Sequence, residues 1–189
     1  MDRERLQQAA RVLLDHVPGR SMQITNLNKA LFYFDLVCLR DRGETYTKTP
    51  FVALPYGPVV QNYKAELLEK LVADGRVRSV EEDGGWYVSK RLELADDEHH
   101  TFGDDYLDRK AGEVAKALGT DRATEVSRLS HENLAWKVAI KAGSGTPMDM
   151  RLALHQVLDD DEWMSRDPDP THRAQYDDLD DGPMRELLG

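Results

Sequence analysis

The chain has 189 residues, a formal net charge of -10 and a mean hydropathy of -0.62. This length suits one domain with a sizeable core, or one domain with a tail. One cysteine excludes an internal disulfide and a cysteine-rich zinc site, and no apolar run approaches the ~18 to 20 residues that cross a bilayer. Residues 1–14 lack the layout of a signal peptide, so we expect a cytoplasmic protein with no membrane partner.

Two helices are predicted at the start of the chain. The first follows from apolar residues spaced three or four apart, namely Leu6, Ala9, Leu13 and Val17, and it ends at Pro18-Gly19. The second spans residues 24–42 and ends at Gly43. It is apolar nearly all round, with Asn28, Lys29 and Asp35 as polar exceptions, and it contains Cys38. We therefore expect a central buried helix, with the polar exceptions at its edge or paired in the core.

The segment 49–75 is predicted to form a strand and then a helix. Residues 49–54 suit a short strand, and Pro58 suits the first turn of a helix, where its missing N–H costs nothing. Tyr56 would then lie at a stiff strand-to-helix corner, either filling that corner or contacting a partner. Gly75 ends the helix. The two β-rich runs in residues 76–94 flank Asp83-Gly84-Gly85, which indicates a hairpin.

Helices are predicted again in the second half. One covers roughly residues 104–118, and a short one capped by Thr120 or Asp121 follows. Ser130 would cap a third helix, with His131 in its first turn, and Thr146-Pro147 would open the last. The predicted fold class is mainly α with a small β-hairpin (α+β). It is a compact helical domain over residues 1–158, with the helix–helix–helix–hairpin order of a winged helix.

Residues 159–189 differ in composition from the rest of the chain. They hold 11 acidic and 3 basic residues, a net charge of -8, which leaves -2 for residues 1–158. With prolines, aspartates and few aliphatic residues, this segment is predicted to be a mostly disordered acidic tail in isolation. Trp163, Tyr176 and Leu179 stand among the acids, as in tails that fold on a partner. A purely solubilising tail is the alternative.

Three motifs in register resemble one known family. The segments "LNKALFYFDLVCLRDRGETY", "FVALPYGPVVQNY" and "LSHENLAWKVA" are similar to the buried helix, the Tyr-Gly-Pro-Val corner and the Leu-Ser-His…Trp segment of the SocA-like Panacea antitoxin domain. The resemblance spans roughly residues 23–142. Leu54-Pro55 replaces a Trp often seen before Tyr-Gly-Pro, and the acidic tail falls outside the shared motifs.

The resemblance implies an antitoxin of a bacterial or phage type II toxin–antitoxin system that binds and neutralises a toxin protein directly. Small-alarmone-synthetase toxins and other toxins that act on nucleotides or RNA are candidate partners. Assembly as a homo-oligomer or as a hetero-oligomer with the toxin stays open. We predict these partner-binding residues: Tyr56, Pro58, His131, Trp136, Trp163, Tyr176 and Leu179.

No residue pattern indicates an enzyme, a metal site or a cofactor. His99 and His100 are adjacent, so their side chains diverge, and a polar loop before the next helix is the expected reading of residues 96–105. The segment 141–147 lacks the Gly-x-x-x-x-Gly-Lys of a phosphate-binding loop. His131 with Ser127 or Ser130 lacks an identifiable orienting acid, so we expect no nucleophilic catalysis.

Two alternative functions remain. A DNA-binding regulator of its own operon would use Arg76, Arg78, Lys90 and Arg91 as cations of the hairpin. The nearly neutral body and the acidic tail argue against this reading, because phosphate binding needs cations. A proteolytic adaptor that delivers the toxin to a protease would use the acidic tail as a tether.

Overall fold

The computed structural model describes residues 2–83, 88–119 and 123–158. The helices are α1 (Arg3–Asp15), α2 (Ile24–Arg42), α3 (Glu69–Ala73), α4 (Asp105–Leu118), α5 (Ala123–His131), α6 (Leu134–Ala142) and α7 (Met150–Ala153). The strands are β1 (Ser21–Gln23), β2 (Phe51–Leu54), β3 (Gly57–Val60), β4 (Val77–Asp83), β5 (Val88–Leu94) and β6 (Thr146–Pro147). Short 3-10 turns cover Pro18–Arg20 and Leu154–Gln156, and a π-helical turn over Lys64–Leu68 leads into α3. The mainly helical α+β class is confirmed.

Helix α2 is the centre of the molecule. All its residues from Asn26 to Cys38 are buried, and Gly43 closes it in a left-handed conformation with φ 77°. Because apolar residues surround the helix on every side, it can bury its whole circumference against other elements. Helices α1 and α4 pack on α2 and on each other, and α5 packs on it too. The predicted central buried helix and the buried Cys38 are confirmed.

Two small antiparallel sheets flank the helices. The first has the strand order β1-β5-β4, and its β4–β5 pair is the hairpin predicted from the sequence. Residues 84–87 at its tip lie outside the described ranges. The winged-helix order is not confirmed, because a second hairpin, β2–β3, stands between α2 and the helical segment that contains α3. The second sheet has the order β3-β2-β6.

Two proline assignments were wrong. Pro58 does not open a helix: it is buried in strand β3, opposite Ala53 of β2. Pro147 lies in β6, opposite Val52, rather than at the start of the last helix, which Asp149 caps instead. Both strands are edges of the sheet, where a residue without an N–H is tolerated as well as in the first turn of a helix.

The boundary between α5 and α6 also differs from the prediction. His131 is the last residue of α5 rather than in the first turn of the next helix. Asn133 caps α6, because its Oδ1 accepts hydrogen bonds from the N–H groups of Ala135 and Trp136 at 3.0 and 3.4 Å. The Ser130 hydroxyl instead donates to the Ser127 carbonyl at 2.7 Å. Thr120 and Asp121, the predicted caps of α5, are outside the described residues.

In the part of the chain that the structure describes, no helix combines the length and the apolar character needed to span a bilayer.

Candidate functional site: the junction of three motifs

Polar side chains on α2 each hold a distant segment. Asn26 Nδ2 donates to the Leu118 carbonyl at the end of α4 at 3.0 Å, and Asn28 Oδ1 accepts from the Val60 N–H of β3 at 3.0 Å. Two further contacts of this kind are Thr47 N–H to Asp35 Oδ1 at 2.9 Å and Tyr33 Oη to Gln156 Oε1 at 3.0 Å. Each contact satisfies a buried polar group, which would otherwise destabilise the fold by about 1 to 3 kcal/mol. The polar exceptions on α2 therefore fix where the other elements lie.

The segment Leu54–Gly57 is a tight hairpin turn between β2 and β3, not a strand-to-helix corner. Leu54 pairs with Gly57, which leaves Pro55 and Tyr56 as the turn residues. Proline at the second position and glycine at the fourth are the residues that a type I turn favours. Gly57 has φ 113°, a conformation that side chains with a Cβ rarely adopt. Tyr56 is half-buried at this turn.

Two side chains from the Leu-Ser-His…Trp segment form hydrogen bonds to the backbone of this turn. Trp136 Nε1 donates to the Leu54 carbonyl at 2.9 Å, and the His131 ring donates to the Pro55 carbonyl. The two rings stack with their centroids 4.0 Å apart and their planes inclined by 12°. His131 at the end of α5 and Trp136 in α6 thus fix consecutive carbonyls of the turn.

Lys29 approaches the same turn from α2. Its side chain is 1% exposed, and no carboxylate pairs with it among the described residues. A Cβ built on Gly57 would lie 2.9 Å from Lys29 Cε and 2.4 Å from Ser130 Oγ, so these side chains pack directly on the glycine. Burial lowers the pKa of Lys29 to about 7, since the low dielectric disfavours the ammonium form.

Lys29, Gly57, Ser130, His131 and Trp136 together form what we call the motif junction. Its members come from the three segments that carry the family resemblance. Burial first, and then the charge of Lys29, lower the pKa of His131 to about 4, so the imidazole is neutral at pH 7. Ser130 bonds to the α5 backbone and His131 to the turn, so these two side chains are used to hold backbone rather than to activate a nucleophile. The junction is a packed connection between three elements.

Helix α6, which contributes Trp136 to the motif junction, has an exposed face that is apolar and basic. On α6, Leu134 and Val138 are 46% and 53% exposed, although both are large hydrophobic residues. They lie one turn apart, so their side chains share one face of the helix. The other exposed residues of that face are Lys137, Lys141 and Ala142. We call these five residues the α6 face.

The structure brings four of the seven predicted partner-binding residues together. Tyr56 is half-buried on the turn and Pro58 is buried in β3, whereas His131 is buried and Trp136 is half-buried behind the turn. The remaining three lie outside the described residues: Trp163, Tyr176 and Leu179. Sequence reasoning missed the parts of Lys29 and Gly57, although a lysine in an otherwise apolar helix was a signal for the first. It also missed Leu134 and Val138, because nothing in the sequence shows which apolar residues of a helix face the solvent.

The side chains of His99 and His100 each contact a carboxylate. His99 contacts Asp15, and His100 Nε2 lies 3.1 Å from Asp96 Oδ1. Across the described ranges, no three His, Cys, Asp or Glu side chains cluster closely enough to hold a metal ion. The predicted polar loop leads to α4, which Asp104 caps by accepting from the N–H groups of Tyr106 and Leu107.

Replacing Gly57 with alanine tests the packing of the motif junction. We expect Gly57→Ala to lower the free energy of unfolding by about 2 to 5 kcal/mol, because it combines a strained φ with overpacking against Lys29 and Ser130. Gly75→Ala is the matched control: Gly75 has φ 74° but no atom within 4 Å of the added Cβ, so only the strain of about 1 to 2 kcal/mol applies. Urea denaturation measures both. Equal losses would contradict the packing of the junction.

The buried imidazole of His131 predicts a loss of stability in acid. Its pKa is lowered from 6.5 to about 4 in the folded state, so the unfolded chain takes up the proton first as the pH falls. Stability from this group is complete above pH 6.5 and decreases as the pH falls toward about 4. His131→Gln should therefore be most destabilising at neutral pH, with the difference from the native chain narrowing toward pH 4. A constant difference in the free energy of unfolding across this range would refute the burial of a neutral imidazole.

Comparison with known proteins agrees with the three motifs that meet at the junction. No curated protein and no solved structure matches the chain. Residues 27–137, more than half of the 189 residues, match the family described as antitoxin SocA-like, Panacea domain. This range begins just before Lys29 and ends just after Trp136, so it contains every member of the motif junction. The chain belongs to the SocA-like antitoxin family with a Panacea domain.

Proposed function

We propose that this protein is the antitoxin of a type II toxin–antitoxin system and neutralises a cognate toxin protein in the cytoplasm by direct contact. The observation that carries the proposal is the α6 face, where Leu134 and Val138 expose apolar surface on the same helix whose Trp136 holds the half-buried Tyr56 turn. Exposed apolar side chains rimmed by polar ones are typical of surfaces that bind proteins. Membership of an antitoxin family supports a toxin as the partner.

The motif residues support this surface from beneath. Lys29, His131 and Trp136 fix the backbone of the turn, and His131 and Lys29 are 5% and 1% exposed. Side chains buried to this degree contribute to binding by positioning the turn and α6. The exposed residues of the α6 face, together with Tyr56, then set which toxin is bound. This division would let one scaffold serve toxins of different kinds, because surface residues change with little cost to stability.

The class of toxin follows from charge. Toxins that act on nucleotides or RNA, including small-alarmone-synthetase toxins, need cationic active sites to stabilise phosphate charge. Residues 159–189 carry a net charge of -8 and include Trp163, Tyr176 and Leu179. We propose that this acidic segment lies across such a site in the complex, with the acids speeding encounter and the apolar residues slowing dissociation.

A binding role also fits the polar groups of the motif junction better than an enzymatic one. The Ser130 hydroxyl and the His131 ring are engaged with backbone carbonyls, and His131 is 5% exposed. A nucleophile and its base need a mutual hydrogen bond and access to substrate.

Two alternatives receive less support. For DNA binding, the cations of the β4–β5 hairpin face carboxylates: Arg78 lies 3.8 Å from Glu93, and Lys90 lies 3.9 Å from Glu81. Contact with phosphates would have to displace these partners. Delivery of the toxin to a protease would place the same α6 face against the toxin, so it is an extension of the proposed contact. The oligomeric state of the complex stays a prediction.

Substitutions on the α6 face and on the turn test the proposed contact. Val138→Arg and Tyr56→Ala should each abolish growth rescue when the chain is co-expressed with the toxin encoded beside it. A central interface residue is worth about 2 kcal/mol, which is about a thirtyfold weaker Kd. Val72→Arg is the matched control, since Val72 is 39% exposed on α3, away from the α6 face. Rescue by Val138→Arg at native strength, with unchanged thermal stability in both arginine variants, would disprove the contact.

Removal of the acidic segment tests its share of the inhibition. Chains cut after Leu158 should keep the cooperative unfolding of the body, because all the core residues found within the described ranges precede Leu158, the last of them being Val157. They should bind the toxin more weakly at low salt, and the difference should shrink toward ~1 M salt, where the Debye length falls to about 3 Å. If the cut chain binds the toxin at low salt and rescues growth as well as the full chain does, the acidic segment contributes nothing to inhibition and has only a solubilising role.

A further inference from the structure

We propose that in the free protein the α6 face is covered by the start of the acidic segment, Asp159–Met164 of the same chain. The contact would be intramolecular and would precede any encounter with toxin. It does not rest on the toxin proposal, because it concerns the protein alone.

The first observation is the composition of the α6 face. Leu134, Val138 and Ala142 recur every four residues, and Lys137 and Lys141 run beside them. Such a face has one apolar column and one cationic column along the same side of a helix. Neither Lys137 nor Lys141 forms an ion pair with any residue in the described ranges. The face therefore fits a short acidic segment that carries apolar side chains.

The second observation is where the described chain ends. Gln156 accepts a hydrogen bond from Asn133, the cap of α6, with Nδ2 and Oε1 2.8 Å apart, and it donates to the Leu129 carbonyl of α5 at 2.9 Å. Asn133 Nδ2 also donates to the Ala153 carbonyl at 3.1 Å. Val157 is buried, and its carbonyl accepts from Arg40. The chain is thus anchored at the first turn of α6, and Leu158, 49% exposed, is the next residue.

The third observation is the sequence that follows. Residues 159–164 read Asp-Asp-Asp-Glu-Trp-Met, four acids and then two large apolar residues. Six extended residues reach about 20 Å, whereas the rise of α6 from Leu134 to Ala142 is about 12 Å. The segment is therefore long enough to run along the whole α6 face from its anchored start. Its acids match Lys137 and Lys141, and Trp163 with Met164 match the apolar column.

This contact would make the acidic segment and a toxin compete for Leu134 and Val138. A toxin that occupies the α6 face would release the segment, which would then be available to a cationic site on the toxin. A partner would have to bind the α6 face more strongly than the segment does. The affinity of the segment for this face would therefore set how well the protein discriminates against weakly binding, incorrect partners.

Paramagnetic relaxation in the full chain tests the proposal without toxin. A nitroxide is attached to Ser165→Cys in a Cys38→Ala background, and amide broadening is measured in the ¹⁵N-labelled protein. We expect strong broadening in residues 134–142 and none in α1. Lys137→Glu with Lys141→Glu should remove the broadening, whereas Lys70→Glu with Lys116→Glu, which makes the same charge change on exposed lysines elsewhere, should keep it.

Three results would overturn the inference. Broadening that persists in the Lys137→Glu, Lys141→Glu variant would mean that the α6 lysines do not hold the segment. An absence of broadening at α6 would mean that the face is left open for another molecule. The third result comes from a mixture of two copies, one spin-labelled at natural isotope abundance and one ¹⁵N-labelled without a nitroxide. If α6 of the ¹⁵N-labelled copy is broadened as strongly in this mixture, the α6 face is occupied by the segment of a second copy.

Discussion

The burial of polar side chains along α2 constrains every other part of the structure. A helix that is buried all round has no solvent to satisfy Asn26, Asn28, Tyr33 or Asp35, so each needs a partner from another segment. Those partners lie in α4, β3, the 3-10 turn before Leu158 and the loop before β2. Apolar packing stabilises the core, and these hydrogen bonds select one arrangement of it. Lys29 belongs to the same set, but no carboxylate of the described residues pairs with it at the turn, and its lowered pKa reflects the cost of that burial.

The residues of the motif junction are buried, apart from the half-buried Trp136, and the exposed surface of α6 is the part that would vary with function. Lys29, Gly57, His131 and Trp136 fix the hairpin turn and the start of α6. The α6 face, which lies on that support, is made of residues that contribute little to the core. This separation explains how a family can be recognised from buried motifs while the choice of partner remains open. The same anchored geometry brings the end of the described chain to the first turn of α6, next to that face.

Prediction from the sequence succeeded where one local pattern was sufficient. The apolar spacing of α1, the continuous apolar character of α2 and the paired β-rich runs of β4 and β5 each had a single reading. It failed where two local readings were equally good. Pro58 suits a helix start and an edge strand alike, and only pairing with β2 decides. Ser130 and Asn133 are both residue types that cap helices well. Asn133 is the cap in the structure, where its side chain also contacts Ala153 and Gln156, which lie 20 and 23 residues further along the chain. The approach of Lys29 to Gly57 depends on the assembled fold and has no local signature.

Hydrogen–deuterium exchange on the protein with and without its cognate toxin tests the central claim most directly, namely that neutralisation is a contact made through the turn and α6. We predict that toxin binding slows exchange in residues 54–57 and 134–142. The amides of α2 are buried and hydrogen-bonded in both states and should change little. Protection confined to the β4–β5 hairpin at 77–94, with residues 134–142 unchanged, would contradict the account.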